Sequence, residues 1–255
     1  FRVHRFRNEQ WSDFTDWERH DAAVVEFDPR NPSNYFVGSW GHGVYQFNGD
    51  EKIAHYTPEN SSLQSIFPGS PFCRISGLAF DNKNNLWVSN AQVANPISVR
   101  KADGSWVSFP YASAINADKI SALRYSPIGA LWLVLPRGEG LFALKPGNDI
   151  DSKDDDLFRK FKPFDREGNI FNVELNAMAF DKDGYLWLGT NQGVLLSYNS
   201  EKVFDGGTYF QKIKIPDVVP GLAVYLLETE SVTSITVDGG NRKWFGTAKS
   251  GAFLF

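Results

Sequence analysis

Three kinds of residue in this 255-residue chain have types and spacings that could do chemistry. The first is a carboxylate that recurs six positions before a tryptophan, as Asp81 and Trp87, Asp181 and Trp187, and Asp238 and Trp244. A pair such as Asp81 and Asp181 would supply the acid and the nucleophile of a glycosidase. Those two roles need different surroundings, because one carboxyl must keep its proton while the other stays ionised. An Asp at the same place in copy after copy is more simply a turn residue whose side chain bonds its own backbone. The second kind is the acidic run GNDIDSKDDD, Gly147 to Asp156, which offers oxygen ligands for calcium but lacks the Asp, Asn and Gly register of an EF-hand loop. A solvated charge run is the simpler reading. The third is a set of residues in turns that do not need them: Trp40 and His42, Arg137 and Glu139, Asn191 and Gln192, and Lys249. An exposed aromatic beside polar groups suits contact with a carbohydrate or a peptide, and these seven are the candidate ligand-binding residues.

Other reactive groups carry less. The histidines His4, His20, His42 and His55 lie in the first quarter of the chain without metal-ligand spacing. Cys73 is the single cysteine, has no nucleophile signature around it and reads as a small packed hydrophobe. The glycine-bearing PRGEG and NQG stretches lie between strand-like segments, so the helix N-terminus that a phosphate loop requires is missing. The residues therefore call for no catalytic group, no metal and no cofactor.

The elements that position these residues form a repeat. The clearest copy is LNAMAFDKDGYLWLGTNQGVLLSY, Leu175 to Tyr198: an apolar segment ending in Asp, a polar turn, a segment centred on Trp187, a Gly turn and a third apolar segment. Other copies run Ala22 to Phe47, Ile75 to Asn90, Ile120 to Leu144 and Val232 to Phe255. Ser126 replaces the Asp before Trp132, and Phe36 takes the Trp position in the first copy. Each segment is short, β-branched or aromatic, and bounded by Asp, Asn and Gly, which marks strands and hairpins. A fourth strand-like segment follows each of the first four copies, at Lys52, Trp106, Phe158 and Phe210. The expected fold is all-β: a β-propeller of four-stranded antiparallel blades, A to D, over residues 22–56, 75–109, 120–163, 175–215 and 232–255. The Trp of strand B is expected to wedge between adjacent blades. B–C turns and D–A connections share one face of such a blade, and A–B turns the other.

Composition narrows the partners. A 42% hydrophobic and 15% aromatic content excludes disorder, and the formal charge of -4 speaks against nucleic acid. The apolar stretch ALWLVL ending at Leu135 is far short of the roughly 20 residues that span a bilayer, so no membrane-spanning segment is expected here. The last copy lacks a fourth strand, whereas residues 1–14 hold an orphan one in FRVHRF and WSDF. Five copies then make either a closed five-bladed ring or a fragment of a seven-bladed propeller.

The motif D-x-x-G, x-L-W-x-G-T, x-x-G of Asp181 to Gly193 resembles the two-component regulator propeller repeat of Bacteroidetes sensor and surface proteins. The tail from Tyr225 to Phe255, the stretch from Asp28 and the run from Asp151 are similar to the PorZ-like branch of the type IX secretion apparatus. The resemblance implies a periplasmic or outer-membrane surface protein of a Gram-negative bacterium, with no catalytic residues in the propeller. A glycan such as lipopolysaccharide, or a secretion-system protein, would be its partner. The alternatives are a periplasmic sensor domain that recognises oligosaccharides for a hybrid two-component system, and a propeller glycosidase or lyase.

Overall fold

The computed structural model describes residues 4–7, 9–13, 21–116, 119–216 and 223–255. The chain divides into two compact units, Phe1–Ile120 and Ser121–Phe255. In the first, β1 (His4–Arg7) pairs with β2 (Gln10–Asp13) as a two-stranded sheet, so the stretch expected as one orphan strand folds back on itself. Blade 1 follows as β3 (Ala22–Phe27), β4 (Asn34–Ser39), β5 (Val44–Asn48) and β6 (Glu51–Tyr56). Blade 2 is β7 (Ile75–Phe80), β8 (Leu86–Asn90), β9 (Ile97–Arg100) and β10 (Trp106–Phe109), followed by the single-turn helix α1 (Ala112–Ile115).

The second unit opens with blade 3, β11 (Leu123–Tyr125), β12 (Leu131–Leu135), β13 (Gly140–Lys145) and β14 (Leu157–Phe161). Blade 4 is β15 (Leu175–Phe180), β16 (Leu186–Thr190), β17 (Gly193–Ser197) and β18 (Gln211–Lys212). A hairpin of β19 (Lys214–Pro216) and β20 (Ala223–Tyr225) precedes blade 5, whose three strands are β21 (Val232–Val237), β22 (Lys243–Thr247) and β23 (Ala252–Leu254). Among the described residues the strands of each sheet pair antiparallel and in chain order, the meander of β-propeller blades.

Blades stack because neither face of a four-stranded sheet is polar enough to stand alone. In the first unit β7 packs against β3 and β4, and in the second β15 packs against β11 and β12, and β21 against β15 and β16. Phe36 fills the first interface with Val88 and Ile75, Trp132 fills the one between blades 3 and 4 with Leu175 and Met178, and Trp187 the next with Val232 and Phe245. The wedge role expected of the strand-B aromatic is met at these positions. Trp244 differs: it is 39% exposed. The glycine two places after the wedge has a packing reason. A Cβ on Gly38 would lie 2.6 Å from Ile75 Cγ2, and one on Gly189 2.8 Å from Val232 Cγ1, so a side chain there would push the next blade's strand A away.

The recurrent Asp joins the turn to the wedge. Asp81 Oδ1 accepts the backbone N–H groups of Lys83 and Asn85, while Oδ2 accepts the Asn85 amide at 2.8 Å and the Trp87 indole N–H at 3.0 Å. Asp181 repeats this with Asp183, Tyr185 and Trp187, and Asp238 with Gly240, Arg242 and Trp244. The turn-forming reading of the Asp holds, and the second carboxylate oxygen adds an indole bond. That bond and the backbone N–H groups of its turn hold the Asp238 carboxyl far below the usual carboxylate range.

Blade 3 tests the arrangement, because Ser126 is too short to reach both partners. Its Oγ accepts the Ala130 N–H at 3.1 Å, and the buried Trp132 indole N–H is left with no acceptor. An unmet buried donor costs about 1–3 kcal/mol. Ser126→Asp is therefore expected to raise unfolding free energy by about 1 kcal/mol, measured by urea denaturation. An unchanged or lower value would show that the indole is not what limits this blade.

Candidate ligand-binding face

The sequence-predicted residues lie in the B–C turns of four blades. In blade 1, Trp40 is 41% exposed and the turn is tied to the chain entering strand A. The Trp40 N–H donates to the Asp21 carbonyl at 2.9 Å, the Ser39 hydroxyl donates to Asp21 Oδ1 at 2.8 Å, and His42 Nδ1 lies 2.9 Å from Asp21 Oδ2. Ser39 Oγ also accepts the His42 N–H, and the His42 carbonyl accepts a bond from His55 Nε2. His42 is thus built into the turn, whereas the Trp40 ring stands out from it.

In the second unit, Arg137 is exposed in a left-handed backbone conformation, φ +62°, at the tip of blade 3's turn. Glu139 is engaged by Lys160 at 2.8 Å. The bond and charge of Lys160, with Lys162 nearby, hold its carboxyl below the usual carboxylate range, so it is ionised at neutral pH. Asn191 Oδ1 accepts the Glu174 N–H, and the Asn191 N–H donates back to the Glu174 carbonyl, so this side chain closes the turn onto the D–A connection. Gln192 and Lys249 are exposed in the turns of blades 4 and 5. The seven residues thus stand in four separate hairpins, with the His42, Glu139 and Asn191 side chains tied to their own hairpin or the adjoining connection.

A denser constellation surrounds Trp40. The connection from blade 1 to blade 2 runs along the turn, where Cys73 lies opposite His42 in a parallel bridge, its N–H donating to the Gly41 carbonyl and its carbonyl accepting the Gly43 N–H. Burial pushes the Cys73 thiol up to about 12, consistent with a packing role. The next residue, Arg74, inserts its guanidinium between two rings, 5.4 Å from the centre of Trp40 and 5.6 Å from that of Phe72. Its Nη1 donates to the side-chain oxygen of Gln92 in blade 2's B–C turn, and its Nε–H is buried with no acceptor. Gln92 itself has φ +62°, a conformation a residue with a side chain adopts only when its surroundings hold it. Beyond Gln92 a cavity of about 340 Å³ opens, lined by Val93, Ala94, Pro96, Ala112, Ile115 and Ile120. Sequence reasoning missed Asp21, Phe72, Arg74 and Gln92. The meander rule places the D–A connection on the same face as Trp40, but no local pattern marks which of its side chains meets the ring.

The other sequence candidates are accounted for locally. Asp155 and Asp156 accept backbone N–H groups of Asn148 and Gly147, folding the acidic run onto itself. Among the described residues no group of three or more His, Cys, Asp or Glu is placed to hold a metal ion. Asp81 and Asp181 lie in A–B turns, their carboxylates directed at backbone and indole donors.

The family comparison decides what kind of repeat this is. The model of the two-component regulator propeller matches residues 169–192, which contain β15, its turn and β16. Blade 4 carries a two-component regulator propeller repeat. Among curated proteins none matches the chain. Among solved structures, PorZ, an essential bacterial surface component of the type IX secretion system of Porphyromonas gingivalis, superimposes with a TM-score of 0.84 at 25% identity. That match covers 96% of this chain and 35% of the PorZ chain, so the sequence spans about a third of that protein. The extracellular domain of BT3049 from B. thetaiotaomicron, assigned to a hybrid two component system, shares the fold with a TM-score of 0.64 at 19% identity, over 99% of this chain and 30% of that one. Virginiamycin B lyase from Staphylococcus aureus shares it with a TM-score of 0.62 at 12% identity, over 97% and 74%. The matched repeat and these superpositions show a β-propeller fold, with PorZ and the BT3049 extracellular domain among the structures it is similar to.

Proposed function

We propose that this chain is a non-catalytic binding or scaffold propeller in the periplasm or at the outer surface of a Gram-negative bacterium. In this reading it serves a type IX secretion apparatus and engages a glycan such as lipopolysaccharide, or a protein partner, through its B–C face. The observation that carries the reading is the PorZ likeness, which extends over 96% of the chain at a TM-score of 0.84. The exposed Trp40 beside Arg74 gives that face a contact point. Trp40→Ala or Arg137→Ala is expected to weaken binding of the purified chain to immobilised lipopolysaccharide, or to an outer-membrane extract, with the thermal midpoint nearly unchanged. A large fall in midpoint with unaltered binding would mark them as packing residues and overturn the assignment.

The BT3049 likeness favours a second reading, a sensor domain for oligosaccharides. The flanking gene sequence separates the two: a downstream membrane helix and kinase support the sensor, a C-terminal sorting domain the secretion protein. The non-catalytic assignment is supported by the occupied carboxylates of Asp81 and Asp181. Hydrolysis of a polysaccharide panel that disappears in Asp181→Asn without loss of folding would reverse it.

A further inference from the structure

We propose that the Trp40–Arg74–Gln92 ledge of the first unit, with the cavity beside it, captures an extended peptide segment of a protein partner. The segment would present a carboxylate to Arg74 and, roughly two or three residues away, a large apolar side chain to the cavity. The proposal rests on the binding reading above and names the chemistry of its ligand.

Arg74 is the first reason. Among the described residues no carboxylate pairs with it; its neighbours are the two rings, the Gln92 oxygen and an unmet donor at Nε. A guanidinium packed against rings keeps its charge, and the N–H groups it has not already committed to Gln92 bond a carboxylate more strongly than any neutral group. The cavity is the second. Val93, Pro96, Ile115 and Ile120 offer aliphatic contact to a side chain, and the polar atoms that share the cavity lining offer hydrogen-bond partners to the main chain of an extended peptide. Gln92 is the third, because the same residue accepts the bond from Arg74 and lines the cavity, which makes cation and cavity neighbouring parts of one surface. A glycan is the less favoured occupant because one face of Trp40 is already covered by the guanidinium.

The test is a phage-displayed random heptapeptide library panned on the whole chain, with Arg74→Gln as counter-selection. Recovered sequences are expected to share an Asp or Glu two or three residues from Leu, Ile, Met or Phe. A synthetic representative should bind the wild-type chain in fluorescence polarisation and lose at least tenfold when its own acid becomes the amide, a readout that needs no protein variant. Arg74→Gln and the cavity-filling Ala94→Phe should each lose as much, with near-unchanged thermal midpoints. Recovered peptides without an acid, or binding indifferent to Arg74→Gln, would overturn the proposal. If no peptide is recovered but lipopolysaccharide binds and is lost in Trp40→Ala, the peptide inference falls and the binding reading stands. If neither peptide nor lipopolysaccharide binds, both fall.

Discussion

Trp187→Ala lowers the free energy of unfolding by about 3–5 kcal/mol. The ring is 3% exposed and lies between blades 4 and 5, with ring centres 5.8 Å from both Phe245 and Phe255. Its removal opens a cavity that the two sheets cannot readily close, because strand B of blade 4 already meets the Val232 side chain of blade 5 at Gly189. The same change deprives Asp181 Oδ2 of its indole donor and removes the ring that lies 5.2 Å from the Lys243 ammonium. Trp244→Ala is the natural control, since that tryptophan makes the same bond to its own Asp but is 39% exposed. Equilibrium urea denaturation of the two variants should separate them clearly. Equal losses would mean that the wedge contributes little beyond its hydrogen bond.

Asp181→Ala is expected to cost about 3–5 kcal/mol as well, by a different route. The carboxylate is fully buried and accepts the N–H groups of Asp183 and Tyr185, the Trp187 indole and, at 3.1 Å, the ammonium of Lys243, which is itself 12% exposed. Taking away the acid leaves that ammonium inside the blade interface with only the face of Trp187 as a partner. Lys243 comes from blade 5, so the loss appears as weakened blade-to-blade coupling as well as a loosened turn. A double-mutant cycle with Lys243→Met measures this directly: a coupling of roughly 0.5–3 kcal/mol between the two sites is expected. A coupling near zero would show that Asp181 acts only within its own turn. The A–B turns of blades 4 and 5 also join where Asn241 Oδ1 accepts the Lys182 N–H and the Asn241 amide donates to Asp183.

These two residues show what could be read in advance. The six-residue interval between Asp and Trp places one at the end of strand A and the other inside strand B, and alternation along each strand then decides which side chains face the neighbouring blade. The interval was visible in the chain, but the bond from carboxylate to indole was not, because it depends on the distance across a folded turn. Ser126 is the converse case. It keeps the interval, yet only the structure shows that a hydroxyl one bond shorter leaves Trp132 without an acceptor.

The candidate site divides in the same way. That B–C turns and D–A connections share one face follows from a meander, and Trp40 stands out as a residue its turn does not need. That His42 is bound into its turn, that Asn191 closes onto Glu174, and that Arg74 lies between Trp40 and Phe72 could not be read from local pattern. Arg74 and Trp40 are 34 positions apart, and Gln92 a further 18 from Arg74.

The sequence by itself determined the repeating unit, its strands, its turns and the aromatic at its centre, because all of these rest on periodicity and on short-range conformational preference. The tertiary structure alone decided which side chains meet across neighbouring blades: the wedge and its ammonium in the second unit, the clamped guanidinium and its cavity in the first. Those contacts depend on how closely one sheet packs on the next, which steric fit over many residues sets and no single stretch of chain encodes.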